Sequence, residues 1–507
     1  MIYSESLPKM VDVCIVGSGI GGGSLALKLA EREISFVIVE AGAQDSSSEK
    51  VRFENVGREF GLRSTTAIQL GGTSTLWHGV LAPLDEVDFE EREWIPNSGW
   101  PISLSDLEPY YEEASELLGV RDYSYFDSRL LSTELANKLL EMNFNRRVFE
   151  NKMFQQPLPE KNFSHDLLEL VKDSEKYNLL INTVGLELLK GRDGLIRALK
   201  VGGGDGNTFE VKARCFVSAA GALETPRLLM NSNIENGNIG KYLMDHPMAN
   251  LCQVRSNKKQ RAHLYSAIKY KDNIAIKTGI ELKKAEQKKH RLPNHNFYMR
   301  PTFTRGIDNE TEKIKLSLLA FKDGGVTLRD LWKVVSNLNV VFQVLLYKFS
   351  LNPWYKYSDL FFVTEQTPFK DSCVELSEKV DAWGYRMSRV NWQVSEWDLS
   401  AMIRWYELVE SECYDKMQYE YTYEFDSEDW ERNFTSAAHH VGTARMSNSK
   451  ENGVVDKNLN VFDVRNLFLC DGSVFTTSGN VNSGFTISAL ACRLAKHLDS
   501  KISENYL

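Results

Sequence analysis

Near its start the chain runs Val11-Asp12-Val13-Cys14-Ile15-Val16 and is then stopped by Gly17-Ser18-Gly19-Ile20-Gly21-Gly22. An apolar run this short, ended by glycine, reads as a buried parallel strand. Leu25, Ala26, Leu29 and Ala30 share one helical face between Ser24 and Arg32, and Ser35-Phe36-Val37-Ile38-Val39-Glu40 is a second apolar strand ending on an acid. Strand, glycine turn, helix and strand within about thirty residues form one βαβ unit, which commits this end of the chain to an α/β fold.

The turn fits the pattern G-x-G-x-x-G, and each glycine has a physical task. Gly17 permits the tight turn, Gly19 lets backbone approach a pyrophosphate, and Gly22 lets helix and strand pack closely. The N-terminus of the helix that follows offers unpaired N–H groups to phosphate. Glu40, about twenty residues on, is placed to accept hydrogen bonds from a ribose diol, with Ala41 beside it. A glycine-rich turn in another α/β fold would look similar, and this unit alone does not separate FAD from NAD.

Composition narrows the partners. Among 507 residues, 42% are hydrophobic and 25% charged, as in soluble globular proteins. A net charge of -9 with scattered basic residues argues against nucleic acid. The seven cysteines form no Cys-x-x-Cys pair, so we expect a reducing compartment, no disulfide framework and no metal site. Met1 to Val11 lacks the apolar core of a signal peptide, and a cytoplasmic location is expected. The stretch 331–351 is apolar but carries Lys333, Asn337, Asn339, Gln343 and Lys348, so it does not read as a membrane span. It reads as a buried or oligomer-interface helix, or alternatively as a helix lying on a membrane surface.

Leu107, Tyr110, Tyr111, Ala114 and Leu117 predict a helix over 106–118. Leu179-Leu180-Ile181-Asn182, 195–201 and Cys215-Phe216-Val217-Ser218 read as strands, with a turn at 202–207. Residues 250–400 alternate more, as in Ile314-Lys315-Leu316-Ser317-Leu318-Leu319, and the last eighty return to the glycine-punctuated α/β pattern. We therefore expect a Rossmann-like cofactor domain assembled from 1–95, 176–250 and 431–507. An α+β substrate domain built on an antiparallel sheet, together with connecting segments, would be inserted as 96–175 and 251–430.

The chemistry concentrates near the end of the sequence. His439-His440-Val441-Gly442-Thr443 is followed by Asp471-Gly472-Ser473 and then Asn482-Ser483-Gly484-Phe485-Thr486. A histidine titrates near neutrality and can serve as a general base. The Asn482 amide can donate to an oxygen as negative charge develops there, or can simply cap a helix. Ile487, Leu490, Ala491, Leu494, Ala495 and Leu498 share one face of that helix.

The full set of motifs resembles the glucose–methanol–choline (GMC) oxidoreductases, flavoenzymes that oxidise alcohols and sugars. Gly71-Gly72-Thr73-Ser74-Thr75-Leu76-Trp77-His78-Gly79 is similar to that family's loop against the flavin. Gly99-Trp100-Pro101-Ile102, Leu107-Glu108-Pro109-Tyr110-Tyr111, Ser218 to Leu229 (SAAGALETPRLL) and Tyr242-Leu243-Met244-Asp245-His246-Pro247 follow in family order. The resemblance is nearest to pyranose oxidases and bacterial sugar and glucoside dehydrogenases. It implies FAD as cofactor, His439 as the base and Asn482 as its catalytic partner, with His440 the adjacent alternative. It also implies cofactor contacts from Gly72, Thr73, Ser74, Trp77, His78, Leu186, Ala220, Asp471, Gly472 and Ser483. The substrate would be a sugar, glycoside or cyclitol, and the acceptor oxygen, a quinone or a separate redox protein. The alternative is a flavin protein without net alcohol oxidation, either a redox-transient isomerase or an inactive partner subunit.

The chain also departs from that pattern. Leu76 stands where some pyranose oxidases bond a histidine to the flavin, which implies non-covalent FAD. Ser483 replaces the usual proline at a helix start, where proline is preorganised. For His78 a structural hydrogen bond is the default expectation, ahead of direct tuning of the flavin.

Overall fold

The computed structural model describes residues 9–44, 53–58, 66–127, 144–204, 206–261, 268–269, 273–303, 305, isolated positions between 332 and 346, 354–413, 419–422 and 434–504. Its organising element is a five-stranded parallel sheet. In spatial order its strands are Leu467–Leu469, Ala213–Ser218, Val11–Val16, Phe36–Val39 and Tyr177–Leu180. Val13, Cys14, Ile15, Phe36, Val37 and Ile38 are all fully buried, as strands covered on both faces must be. The helix Ile20–Ala30 begins directly at the glycine loop, four residues earlier than the apolar face suggests. It packs on the C-terminal helix Gly484–Ser503, where Ser24 Oγ and Ser488 Oγ meet at 2.9 Å.

The order of this sheet fixes where a ligand can sit. From Val11–Val16 the chain winds one way to Phe36–Val39 and Tyr177–Leu180, then returns to the other side for Ala213–Ser218 and Leu467–Leu469. The turns after Val16 and Ser218 therefore diverge, and a crevice opens at the carboxyl ends of these two adjacent strands.

The second body is an eight-stranded antiparallel sheet. Its central strands are Ile274–Leu282, Asn296–Thr302, Trp354–Val363 and Pro247–Arg261, and Phe149–Pro157 pairs along Ile274–Leu282. The two-residue period divides its faces. Phe297, Met299, Leu360 and Phe362 pack in one core with Met402, Trp405 and Tyr406 of the helix Glu396–Leu408. Tyr298, Arg300, Phe361 and Val363 point the other way, into the space between the two sheets.

Several expectations meet a different arrangement. Two helices of the segment 96–175 pack on the parallel-sheet body. Leu104–Leu118 lies against Gly484–Ser503, with the Tyr111 hydroxyl 2.7 Å from Thr486 Oγ1, and Phe163–Val171 presses Phe163 onto Gly23. The strand expected at 314–319 lies outside the described residues. In 331–351 the described positions are helical, but Trp332, Leu338 and Phe342 are 73%, 64% and 56% exposed, so this face is not buried within the chain. No helix among the described residues is long and apolar enough to cross a membrane. All seven cysteines are buried and none is in a disulfide.

Candidate active site

The parallel strands deliver their functional residues at their carboxyl ends. Gly17 follows Val16, Glu40 follows Val39, Ala219 and Ala220 follow Ser218, and Asp471 comes two residues after Leu469; all line one cavity of about 640 Å³. Gly17 has φ +99°, and a Cβ there would meet the Ala219 carbonyl oxygen at 2.4 Å. At Gly19 a Cβ would touch only Gly72 Cα, at 3.9 Å, so the backbone is left open to a large ligand. The helix Ile20–Ala30 has no side-chain cap, which leaves its first N–H groups to whatever occupies the cavity. Buried Glu40 accepts from Ser18 N at 3.0 Å and Gly42 N at 2.8 Å, and burial raises its pKa. Ser18 Oγ also accepts from Gly71 N at 3.0 Å, tying the first glycine loop to the second. An uncapped helix start, an open glycine and a carboxylate at the next strand end fit a dinucleotide such as FAD.

Ile20, Ala41, Gly72, Thr73, Trp77, His78, Leu186, Gly472 and Ser483 also line this cavity. Gly22 and Ser74 stand behind its wall. A Cβ on Gly22 would meet the Gly17 carbonyl oxygen at 2.0 Å, so this glycine serves helix–turn packing. Ser74 is buried and donates to the Gly71 carbonyl at 2.6 Å, fixing the loop from behind. His78 is exposed to the cavity and makes no side-chain hydrogen bond among the described residues, against the structural bond expected for it. Trp77 is locked by its indole N–H, 2.7 Å from the Lys161 carbonyl. Its ring covers the start of the C-terminal helix so closely that a Cβ on Gly484 would lie 2.6 Å from Trp77 Cζ3. Asp471 Oδ2 accepts from Gly221 N at 2.9 Å and Thr225 Oγ1 at 2.6 Å, stitching the C-terminal segment to the turn after Ser218.

His439 and Asn482 both line the cavity, with the Asn482 side chain beside the His439 ring. Asn482 also donates to the Val80 carbonyl. The N-cap of the helix falls on Ser483, so the Asn482 amide is not spent on capping. The Asp245 carboxylate receives the backbone N–H of His439 at 3.1 Å and that of His246 at 2.6 Å. His439 Nδ1 lies 3.2 Å from His246 Nδ1, and His246 Nε2 lies 3.1 Å from the Ser478 carbonyl. A carbonyl only accepts, so His246 carries its proton on Nε2 and offers a lone pair at Nδ1. The contact between the rings then requires the proton of His439 on Nδ1, which leaves His439 Nε2 as the basic atom. Burial, with the neighbouring His246, lowers the His439 pKa to about 3, so the ring is neutral. His440 lines the same cavity, with Nε2 3.6 Å from Asp245 Oδ2.

The GMC oxidoreductase family signature matches this chain over 36–248 in its N-terminal part and over 368–491 in its C-terminal part. The chain belongs to the GMC oxidoreductases. It is 23% identical to a 2-methyl-1,2-propanediol dehydrogenase of Mycolicibacterium austroafricanum, over 97% of this chain and 96% of that protein. It is likewise 23% identical to a long-chain-alcohol oxidase of Arabidopsis thaliana, over 96% of this chain and 67% of that one. Among solved structures, a formate oxidase superposes with a TM-score of 0.60 at 17% identity, covering 98% of this chain and 100% of that one. A pyridoxine 4-oxidase from Mesorbium loti gives 0.54 at 16% identity, covering 96% and 99%. The protein is an FAD-dependent oxidoreductase of CH–OH donors with the fold of this family.

In this GMC oxidoreductase the wall facing His439 and Asn482 comes from the antiparallel sheet. Lys277, Tyr298, Arg300 and Phe361 line it, and sequence reasoning named none of them. The available signal was a lysine following Ile274-Ala275-Ile276, a charge set inside an apolar strand. His246 lay within a quoted motif, but its contact with a ring 193 residues away became visible only in three dimensions.

Proposed function

We propose that the enzyme oxidises a secondary or primary hydroxyl of a sugar, glycoside or cyclitol to the carbonyl, with His439 as the base. The observation that carries this reading is the chain of contacts Ser478 carbonyl, His246, His439, which leaves a neutral Nε2 lone pair beside the Asn482 amide at the cavity wall. Bound FAD supplies the hydride acceptor for the carbinol carbon. His439 Nε2 takes the hydroxyl proton, and Asn482 donates to the oxygen as charge builds on it. Asp245 holds the backbone of both histidines, so the basic nitrogen does not drift from the substrate oxygen. Trp77 and Gly484 close the loop over the helix start and keep that side of the cavity in register.

The cofactor is proposed to be held without a covalent bond, because Leu76 offers no nucleophile where some relatives place histidine. Acid precipitation should leave the yellow colour in the supernatant; colour in the pellet contradicts this. The sugar assignment rests on the motif resemblance, and the acceptor on the same ground is oxygen, a quinone or a separate redox protein. Anaerobic incubation of the holoenzyme with a panel of sugars, cyclitols and simple alcohols tests the reading. Bleaching of the flavin by a polyol is expected. Bleaching by aliphatic alcohols alone would remove the sugar assignment, and no bleaching by any alcohol would favour a redox-transient or inactive flavin protein.

A further inference from the structure

Lys277 is an anomaly in the wall of the site. It sits on the strand Ile274–Leu282, whose one other ionisable residue, Glu281, accepts a hydrogen bond from Asn480, and its side chain enters the cavity shared with His439 and Asn482. Its ammonium lies 3.8 Å from the centre of the Tyr298 ring. No carboxylate pairs with it among the described residues, and the charge that acts on it is the like charge of Arg300. Arg300 lines the same wall, its guanidinium 3.6 Å over the Phe361 ring, and is exposed, which puts it towards the cavity mouth. The strand register sets Asp359 across from Arg300, and Asp359 Oδ1 already accepts from Gln253 Nε2 at 2.8 Å. Across from Lys277 the register sets Phe154, which carries no charge.

An uncompensated lysine in a protein wall is costly, because its charge has lost water and gained no partner. Burial and the Arg300 charge lower its pKa to about 7, within reach of protonation when an anion arrives. The Tyr298 face holds the Lys277 ammonium without neutralising it. We propose that Lys277 and Arg300 form an oxyanion-recognition subsite, so that the alcohol oxidised here carries a carboxylate or phosphate group that docks on the antiparallel sheet while its hydroxyl faces His439. This inference rests on reading the cavity as an alcohol-oxidising site. The anion would fix the substrate's direction in the cavity, which a row of equivalent hydroxyls cannot do by itself.

Titration of the FAD-loaded enzyme with acetate and with inorganic phosphate, followed by the perturbation of the flavin spectrum, tests the subsite without turnover. Acetate reports on carboxylates and phosphate on phosphate esters. At least one should bind, and Lys277→Gln should weaken it by roughly 10- to 100-fold, as expected for a lost charge-assisted hydrogen bond. Lys277→Arg should restore most of the affinity while both variants keep their flavin, which separates charge recognition from damage to the fold. Binding of neither anion by the wild type, or equal binding by Lys277→Gln, overturns the proposal. Anaerobic bleaching by glucuronate or glucose 6-phosphate against glucose then reports on the reaction itself. Anion binding without bleaching by any sugar would contradict the proposed sugar oxidation and leave the subsite standing.

Discussion

His246 stands between the Ser478 carbonyl and the ring of His439, 3.1 Å from the first and 3.2 Å from the second. The two contacts together determine which nitrogen of His439 is basic, because only one tautomer of each ring satisfies both. His246 is thus a positioning residue that acts through His439.

Replacing His246 with phenylalanine keeps an aromatic ring but removes the acceptor for the His439 Nδ1 proton. We predict a fall in kcat/KM of roughly a hundredfold, by analogy with the loss of an orienting partner in other histidine-based sites. A pH profile separates this from simple misfolding. His439 accepts a proton only when neutral, so activity is lost as pH falls through its pKa. In the wild type that value is lowered from 6.5 to about 3, first by burial and then by His246. The acid limb of the His246→Phe profile should therefore move to higher pH. An unmoved limb would show that His246 does not act on the base.

Gly484→Ala tests the packing that shapes the flavin side. Its Cβ would lie 2.6 Å from Trp77 Cζ3, and the indole cannot retreat without losing its bond to the Lys161 carbonyl. A loss of about 1–3 kcal/mol is expected from such overpacking. Thermal unfolding and the fraction of protein that retains FAD measure it. Full FAD retention at wild-type stability would mean that the contact is softer than drawn.

Lys277→Met should stabilise the protein near neutral pH, and the sign follows from proton counting. The ordinary lysine value is 10.5 and the native one about 7. Between these values the unfolded chain holds more protons than the native one, so native stability rises as pH rises across that window. Below about pH 7 the penalty of the lysine is present in full. The neighbours do not alter the sign. Arg300 keeps its charge throughout, burial raises the Tyr298 phenol, and Phe154 on the paired strand is uncharged. We predict a gain of about 1–3 kcal/mol at pH 6–7 that fades towards pH 10. Chemical denaturation at the two pH values measures it.

The parts of the site that were legible in the sequence are those built from local chain. A glycine loop needs only its own strand and helix, so Gly17, Gly19 and Glu40 could be placed from spacing. His439 and Asn482 could be named from motifs, although the cavity they share joins segments that meet only across the fold. Gly22 and Ser74 show the limit of a motif, since both belong to the right loops yet face packing instead of the cavity. Lys277 and Arg300 were illegible for a different reason. Which face of a strand meets the cavity depends on its register with strands far away in sequence, and a shift of one residue would turn both side chains over. The exposed helical positions around Trp332 and Phe342 are apolar enough to read as buried, and periodicity alone carries no information on what covers such a face.

The most direct test of the account is the rate of anaerobic flavin bleaching in a single turnover, compared between the wild type and His439→Ala, both loaded with FAD and given the same alcohol. With the base removed, bleaching should slow by about 10²- to 10⁴-fold while FAD content is unchanged. Bleaching at the wild-type rate by FAD-loaded His439→Ala would contradict the assignment of His439 and the mechanism built on it.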